Sequence, residues 1–333
     1  MTTFKDITAS KNVGVWGWWQ GKNLGDMWIL ECLKKKFPGI IPLTTDKEDF
    51  SNIDFLIIGG GGLLNGPTLR KPFNKKPFCI VNGIKYGSFG LGGEFEIKDK
   101  DILKKFINFS VFFGVRDERN LMTYNINGNR RLELSGDCTF LYPLKRQYNP
   151  SLEIKTIKLI WRDPYGLMRR KGEEGEILNK QFGEHLGSIP FKDNLKCVEL
   201  YRKKLSEHGK LIFDNYRTED FSFEQIYKKF ANVDLIVSMR YHGIVAAIQL
   251  GIPCIALDIY PKVRTIMIDC GLEKYCIKLS EHKKIHDLII DIKENRRRIL
   301  EKMKNYTDKY KKLTNEFANR AKSKIMYLMK RQK

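Results

Sequence analysis

Residues 232–262, NVDLIVSMRYHGIVAAIQLGIPCIALDIYPK, constrain the fold more than any other stretch of the chain. Val233 to Met239 is an unbroken apolar run of strand length, Gly243 to Leu250 is short and helix-like, and Cys254 to Ile259 is apolar again. Gly251 and Pro253 punctuate the helix end. Strands that are apolar on both faces fit a parallel sheet covered by helices, not a half-wet antiparallel one. In such a βαβ unit the residues just past the first strand project into the ligand crevice. Here they are Arg240, Tyr241 and His242. An arginine and a histidine beside a helix N-terminus make a seat for an anion. The same residues could serve the fold alone, Arg240 pairing with a core carboxylate and His242 capping the helix.

The rest of the chain repeats the alternation. Val13 to Trp16 reads as a strand, followed by the loop Gly21 to Gly25 and a helix for which Asp26 is the expected N-cap. That loop is neither a Walker loop nor a GxGxxG fingerprint. Strands are expected near Ile40 to Leu43, at Ile53 to Ile58, at Phe78 to Asn82 and at Val111 to Val115, with helices over Asp101 to Phe106 and from Asp117 through Tyr124. Ile58 runs into Gly59-Gly60-Gly61-Gly62, a bare backbone that a ligand or a neighbouring helix can approach closely. Tyr142 to Lys155, with Pro143 and Pro150, reads as a linker. The pattern then restarts with a strand at Ile157 to Trp161 ending in Arg162, and a polar stretch, Pro164 to Pro190, carrying Arg169, Arg170 and Lys171. A helix over Asp193 to His208, a strand at Leu211 to Asp214 and a helix over Phe221 to Phe230 complete the series.

After Lys283 the chain is helical and basic, with Ile299, Met303, Tyr306, Tyr310, Leu313 and Phe317 in a stripe at steps of four and three. Such a stripe packs on a protein surface or lies on a membrane. The net charge of +21 favours anionic partners. No zinc finger, RNA-binding signature or basic arm interleaved with aromatics is present, so nucleic acid is not expected. Seven cysteines without a CxxC pair suit reduced thiols in a cytoplasmic protein, and no apolar run spans a bilayer. No spacing of His, Cys and carboxylate suggests a metal.

Asn23-Leu24-Gly25-Asp26, Gly59 to Leu64, Val115-Arg116-Asp117, Gly136-Asp137, Ser238 to Gly243 and Tyr260-Pro261-Lys262 stand in that order. The ordered set resembles the polysaccharide pyruvyl transferase family over about Asn12 to Lys278. The resemblance implies an α/β protein of two doubly wound Rossmann-like domains in a GT-B-like arrangement with a long C-terminal helix. Residues 1–147 would form the acceptor-side domain, 148–282 the donor-side domain and 283–333 the basic helical segment. It implies transfer of the pyruvate moiety of phosphoenolpyruvate to a sugar as a cyclic ketal, with no cofactor. The acceptor would be a cell-surface polysaccharide or its lipid-linked precursor, with peripheral contact to an anionic membrane. Phosphoenolpyruvate carries a carboxylate and a phosphate, both matched by arginine forks. By resemblance Arg162 and Arg240 hold this donor, with Tyr241 and Lys262 beside them. His242 moves the proton, as an imidazole can. Asn23, Asp26, Gly60, Gly61 and Asp117 are the acceptor-side candidates. The chain departs from the family pattern at Asn120, where serine is usual, at Cys138, where proline is usual, and at Gly83 with Lys85, where a glycine pair is usual. The other histidines, His185, His208, His282 and His286, are expected to be solvated. A GT-B glycosyltransferase using a nucleotide-sugar, with Asp258 for the donor ribose, is the alternative enzyme. A non-catalytic glycan-binding member is the other.

Overall fold

Two parallel sheets account for the alternating pattern. The computed structural model describes residues 3–19, 23–44, 50–64, 83–93, 100–125, 131–146, 153–161, 193–214, 216, 218 and 221–331, with the backbone alone at 193–196. The chain divides into a first unit of Met1–Pro143, Thr218–Phe221 and Lys309–Lys333, and a second of Leu144–Arg217 and Ser222–Asp308.

In the first unit, β1 (Val13–Gly17), β2 (Ile41–Thr44), β3 (Phe55–Gly61), β4 (Lys85–Leu91), β5 (Phe113–Val115) and β6 (Leu132–Leu134) form one parallel sheet, ordered β2-β1-β3-β4-β5-β6. Helices α1 (Phe4–Thr8), α2 (Leu24–Lys36), α3 (Lys100–Phe109) and α4 (Glu118–Tyr124) flank it. β1 and β3 are buried along their whole length, which is why they read as unbroken apolar runs. The chain leaves β1 for β2 on one side and then crosses to β3 on the other. The topological switch therefore lies outside the carboxyl ends of β1 and β3.

Three details differ from the sequence reading, and a fourth falls outside the described residues. β3 runs on into the glycines to Gly61. β4, KYGSFGL, is masked in the sequence by its glycines, because Gly87 packs on the Phe112 ring and Gly90, at φ +66°, lies against Cys138 and the Gly136 carbonyl. The strand expected at Phe78 to Asn82 lies outside the described residues. The N-cap of α2 is Asn23, whose side chain accepts from the Gly25 N–H, and Asp26 sits inside the first turn.

In the second unit, β7 (Thr156–Ile160), β8 (Lys210–Asp214), β9 (Leu235–Ser238), β10 (Cys254–Leu257) and β11 (Cys276–Ile277) are parallel and ordered β11-β10-β9-β7-β8. Around them lie α5 (Asp193–Ser206), α6 (Phe223–Phe230), α7 (Tyr241–Leu250), α8 (Pro261–Asp269) and α9 (Ile285–Glu294). Every residue of α7 is buried, so it shows no amphipathic face, and Gly251 ends it in the left-handed region at φ +72°. The switch here falls between β7 and β9. Pro164 to Pro190 lies outside the described residues. Six cysteines, Cys32, Cys138, Cys197, Cys254, Cys270 and Cys276, are buried free thiols, and burial pushes Cys197 up to about 11.

The last element, α10 (Arg296–Lys330), is separated from α9 at Asn295. Its apolar stripe is buried: Ile299, Met303, Tyr306, Tyr310 and Phe317 are each under 9 % exposed, and the stripe continues through Ala321, Ile325 and Met329. Phe317 packs on Phe89 and Phe112 at 5.1 and 5.9 Å, and Tyr310 packs on Phe140 at 5.5 Å. The exposed face keeps Lys304, Lys309, Lys311, Lys312, Lys324 and Lys330. Among the described residues no helix is long and apolar enough to cross a membrane.

Candidate active site

β9 ends at Ser238, and the next residues are pinned through their backbone. The Ser238 hydroxyl accepts from the Arg240 N–H and donates to the Arg240 carbonyl, both at 3.0 Å. That carbonyl also accepts from the Gly243 and Ile244 N–H groups at 3.0 and 3.2 Å. Arg240 is thereby the N-cap of α7 without using its side chain. His242 is inside the first turn and buried, so it does not cap the helix. Its ring meets Tyr241 edge-on at 5.1 Å. A Cβ on Gly243 would lie 2.4 Å from the Ser238 hydroxyl and 3.0 Å from Ile160, so only glycine lets α7 sit this close to the strands.

A second support was not legible in the sequence. Tyr216, buried and at φ +60°, donates its hydroxyl to the His242 carbonyl at 2.8 Å, while its N–H bonds Asp214 at 2.7 Å. A positive φ on a buried tyrosine costs energy and is held in place by its surroundings. Asp214 ends β8 and meets Lys158 at 3.2 Å and Lys229 at 3.4 Å. Lys158 also donates to the Lys229 carbonyl. Burial works to raise the Asp214 carboxyl, but the Tyr216 N–H and the two lysines prevail and hold it below the usual range. Burial in turn lowers the Lys158 ammonium, with Asp214 opposing.

On the next strand, β10, Asp258 and Tyr260 follow the carboxyl end. Lys262, in the first turn of α8 after Pro261, places its ammonium 4.9 Å from the Tyr260 ring centroid. Asp258 is gripped by Arg264 through Nε at 2.7 Å and the second guanidinium nitrogen at 2.6 Å. Arg240, Tyr241, His242 and Lys262 thus all follow the carboxyl ends of two adjacent strands. Arg162 lies outside the described residues; the strand before it, β7, pairs with β9, with Ile160 opposite Ser238.

The first unit has its own cluster. Asn23 donates its carboxamide to the Asp26 carboxylate at 2.8 Å, and Asp26 lies 3.6 Å from where a Cβ on Gly61 would stand. Gly59 and Gly60 are filled by Leu33, Val15 and Ile29, so two of the four glycines serve helix packing. Gly92 donates to the Gly61 carbonyl at 2.8 Å and lies against the buried Arg116 guanidinium. Asp117 caps α4 through the Asn120 N–H at 2.9 Å and pairs with Arg116 at 3.1 Å. It stands two strands from β3 in the same sheet. Asn120 both accepts from and donates to the Gly93 backbone, at 3.3 and 3.2 Å, a pair of bonds that one serine hydroxyl matches poorly. Cys138 donates to the Phe89 carbonyl at 3.4 Å. His208 and His286 meet each other at 3.3 Å between ring nitrogens. His185 lies outside the described residues. Among the described residues no group of three or more His, Cys, Asp or Glu side chains is arranged to hold a metal ion.

Two helix-flanked parallel sheets followed by a long C-terminal helix define a GT-B-like fold. Two solved structures with this fold are Anabaena HepE in complex with UDP and glucose and the S. aureus MnaA–UDP co-structure. HepE has TM-score 0.51 and 11% identity over 94% of this chain and 100% of that one. MnaA has TM-score 0.52 and 10% identity over 94% and 96%. At such identity the likeness is one of fold. No curated protein matches the chain in sequence. The chain belongs to the polysaccharide pyruvyl transferase family, whose model matches residues 23–259 and so takes in Asn23, Asp26, Asp117, Arg240 and His242 but stops short of Lys262.

Proposed function

We propose that the protein transfers the pyruvate moiety of phosphoenolpyruvate to a sugar of a cell-surface polysaccharide or its lipid-linked precursor, forming a pyruvate ketal and releasing phosphate. The observation that carries this reading is the fixed placement of Arg240 and His242 at the carboxyl end of β9, beside the β7–β9 switch. Arg240 and Arg162 would hold the carboxylate and phosphate, with Lys262 and Tyr241 beside them. His242 would pass a proton to C3 of the enol phosphate while a sugar hydroxyl attacks C2. The C2–O bond to phosphate then breaks, and a second hydroxyl closes the ketal on C2. Of the two hydroxyl protons, one ends on C3 and the other on the departing phosphate, so the reaction balances without redox. It proceeds without a cofactor. Asn23, Asp26, Gly60, Gly61 and Asp117 would carry the acceptor.

A nucleotide-sugar transferase would call on Asp258 for the donor ribose, and the Arg264 fork on that carboxylate speaks against it. The test is steady-state phosphate release from phosphoenolpyruvate with an accepting saccharide. His242→Gln should lose about 10²–10⁴-fold in turnover, the usual worth of general acid–base catalysis. Arg240→Ala should raise the apparent KM for phosphoenolpyruvate as well. Near-normal turnover in His242→Gln would contradict the assignment.

A further inference from the structure

Two histidines of the second unit take no part in the proposed chemistry. His208 lies just past the end of α5 and His286 in the first turn of α9, 78 residues apart in sequence. His208 immediately precedes β8, so the pair sits at the amino ends of the strands, away from Arg240 and His242. The rings meet through His208 Nε2 and His286 Nδ1 at 3.3 Å, with centroids 5.0 Å apart and planes at 42°. A head-on N–H···N bond of that length would hold the centroids about 5.5 Å apart, since each lies about 1.1 Å behind its nitrogen. Two imidazoles on one tetrahedral ion, each nitrogen about 2.05 Å from the metal, would set the nitrogens about 3.3 Å and the centroids about 5.1 Å apart. The observed pair fits the chelate better than the head-on bond.

The backbone holds both rings in place without an ion. The His208 N–H bonds the Leu205 carbonyl at 3.1 Å, and the Tyr201 hydroxyl of α5 donates to the Leu279 carbonyl at 3.1 Å, on the segment leading into α9. His286 is exposed and His208 partly so, which lets an ion and its waters reach the pair. Burial, then His286, Lys293 and Lys204, lower the His208 imidazole, with Glu207 opposing. That favours the neutral ring, the form that ligates a metal, while the same lysines oppose an incoming cation. Imidazole nitrogen suits Zn²⁺, Cu²⁺ and Ni²⁺, whereas Mg²⁺ prefers oxygen. We infer that His208 and His286 form a two-imidazole chelate for a divalent transition-metal ion of the Zn²⁺ class, with water in the remaining positions, clipping α5 to α9. The site is independent of the proposed activity.

The experiment uses the untagged full chain, since a histidine tag would take up the same ions, and its His208→Gln and His286→Gln variants. Calorimetry with ZnCl₂ and with MgCl₂ reads binding, and electron paramagnetic resonance with one equivalent of Cu²⁺ reads the nitrogen ligands in the folded chain. The wild-type chain should bind Zn²⁺ and not Mg²⁺, and each variant should weaken Zn²⁺ about tenfold or more. Zn²⁺ affinity should fall as pH drops from about 7.5 to 5.5, because protons compete for both rings. The Cu²⁺ spectrum should show two imidazole nitrogens in the wild-type chain and lose that signature in either variant. No Zn²⁺ binding by the wild-type chain, equal Zn²⁺ binding by either variant, or a Cu²⁺ spectrum that both variants leave unchanged would each overturn the chelate.

Discussion

Gly243 shows how tightly the residues around Arg240 are held. A Cβ there would meet the Ser238 hydroxyl at 2.4 Å, and that hydroxyl already fixes both ends of the Arg240 peptide. Gly243→Ala should therefore destabilise the protein by about 1–3 kcal/mol, the usual cost of overpacking, read as a lower denaturation midpoint. Arg240→Lys should recover only part of what Arg240→Ala loses in donor affinity, since an ammonium has no fork. Asp214 is the second sensitive residue. Asp214→Asn leaves the buried Lys158 ammonium without its countercharge, a change that costs about 3–5 kcal/mol in comparable buried pairs. Because the Asp214 carboxyl is held below its ordinary value, its contribution is complete above about pH 4 and is lost as pH falls through the folded value. Acid unfolding of the wild-type chain should show that loss, and Asp214→Asn should flatten it.

At the scale of elements, the long α10 is where the sequence left two readings open. A stripe of apolar residues with lysines on the far face suits a membrane surface as well as a groove in the protein. The burial of Ile299, Met303, Tyr310 and Phe317 assigns the stripe to packing. Phe317→Ala should cost about 3–5 kcal/mol, and removal of residues 309–333 should expose Phe89 and Phe112 and unfold the first unit. A vesicle-binding loss with an intact melting transition would instead point to a membrane role for the helix. The His208–His286 contact joins the end of α5 to α9. Burial, then His286 and the lysines Lys293 and Lys204, lower the His208 imidazole, with Glu207 opposing. The unfolded chain then binds more protons than the folded one just below about pH 6.5, so stability should rise with pH through that window. The rise in melting temperature from pH 5.5 to 7.5 should shrink in His286→Asn.

For the whole molecule, β1, β3, β5, β7, β9 and β10 were legible because burial on both faces forces nearly continuous apolar runs, and β2 and β8 were legible although partly exposed. β4 was not, since its glycines answer to Phe112, Cys138 and Gly136, neighbours distant in sequence. The placement of Arg240 and His242 was legible because the apolar run of β9 ends just before them and a helix starts at Tyr241. Tyr216 was not, because nothing in a local window shows that its hydroxyl reaches the His242 carbonyl 26 residues on. Asn23 replaced Asp26 as N-cap for a similar reason. Both residue types cap helices, and the geometry of the loop decides between them. The measurement closest to the central claim is calorimetric titration of the full chain with phosphoenolpyruvate and, separately, with UDP-glucose. The account predicts that phosphoenolpyruvate binds, that Arg240→Ala weakens it by about tenfold or more, and that UDP-glucose gives no binding heat. Binding of UDP-glucose, with phosphoenolpyruvate unbound or held equally well by Arg240→Ala, would contradict it.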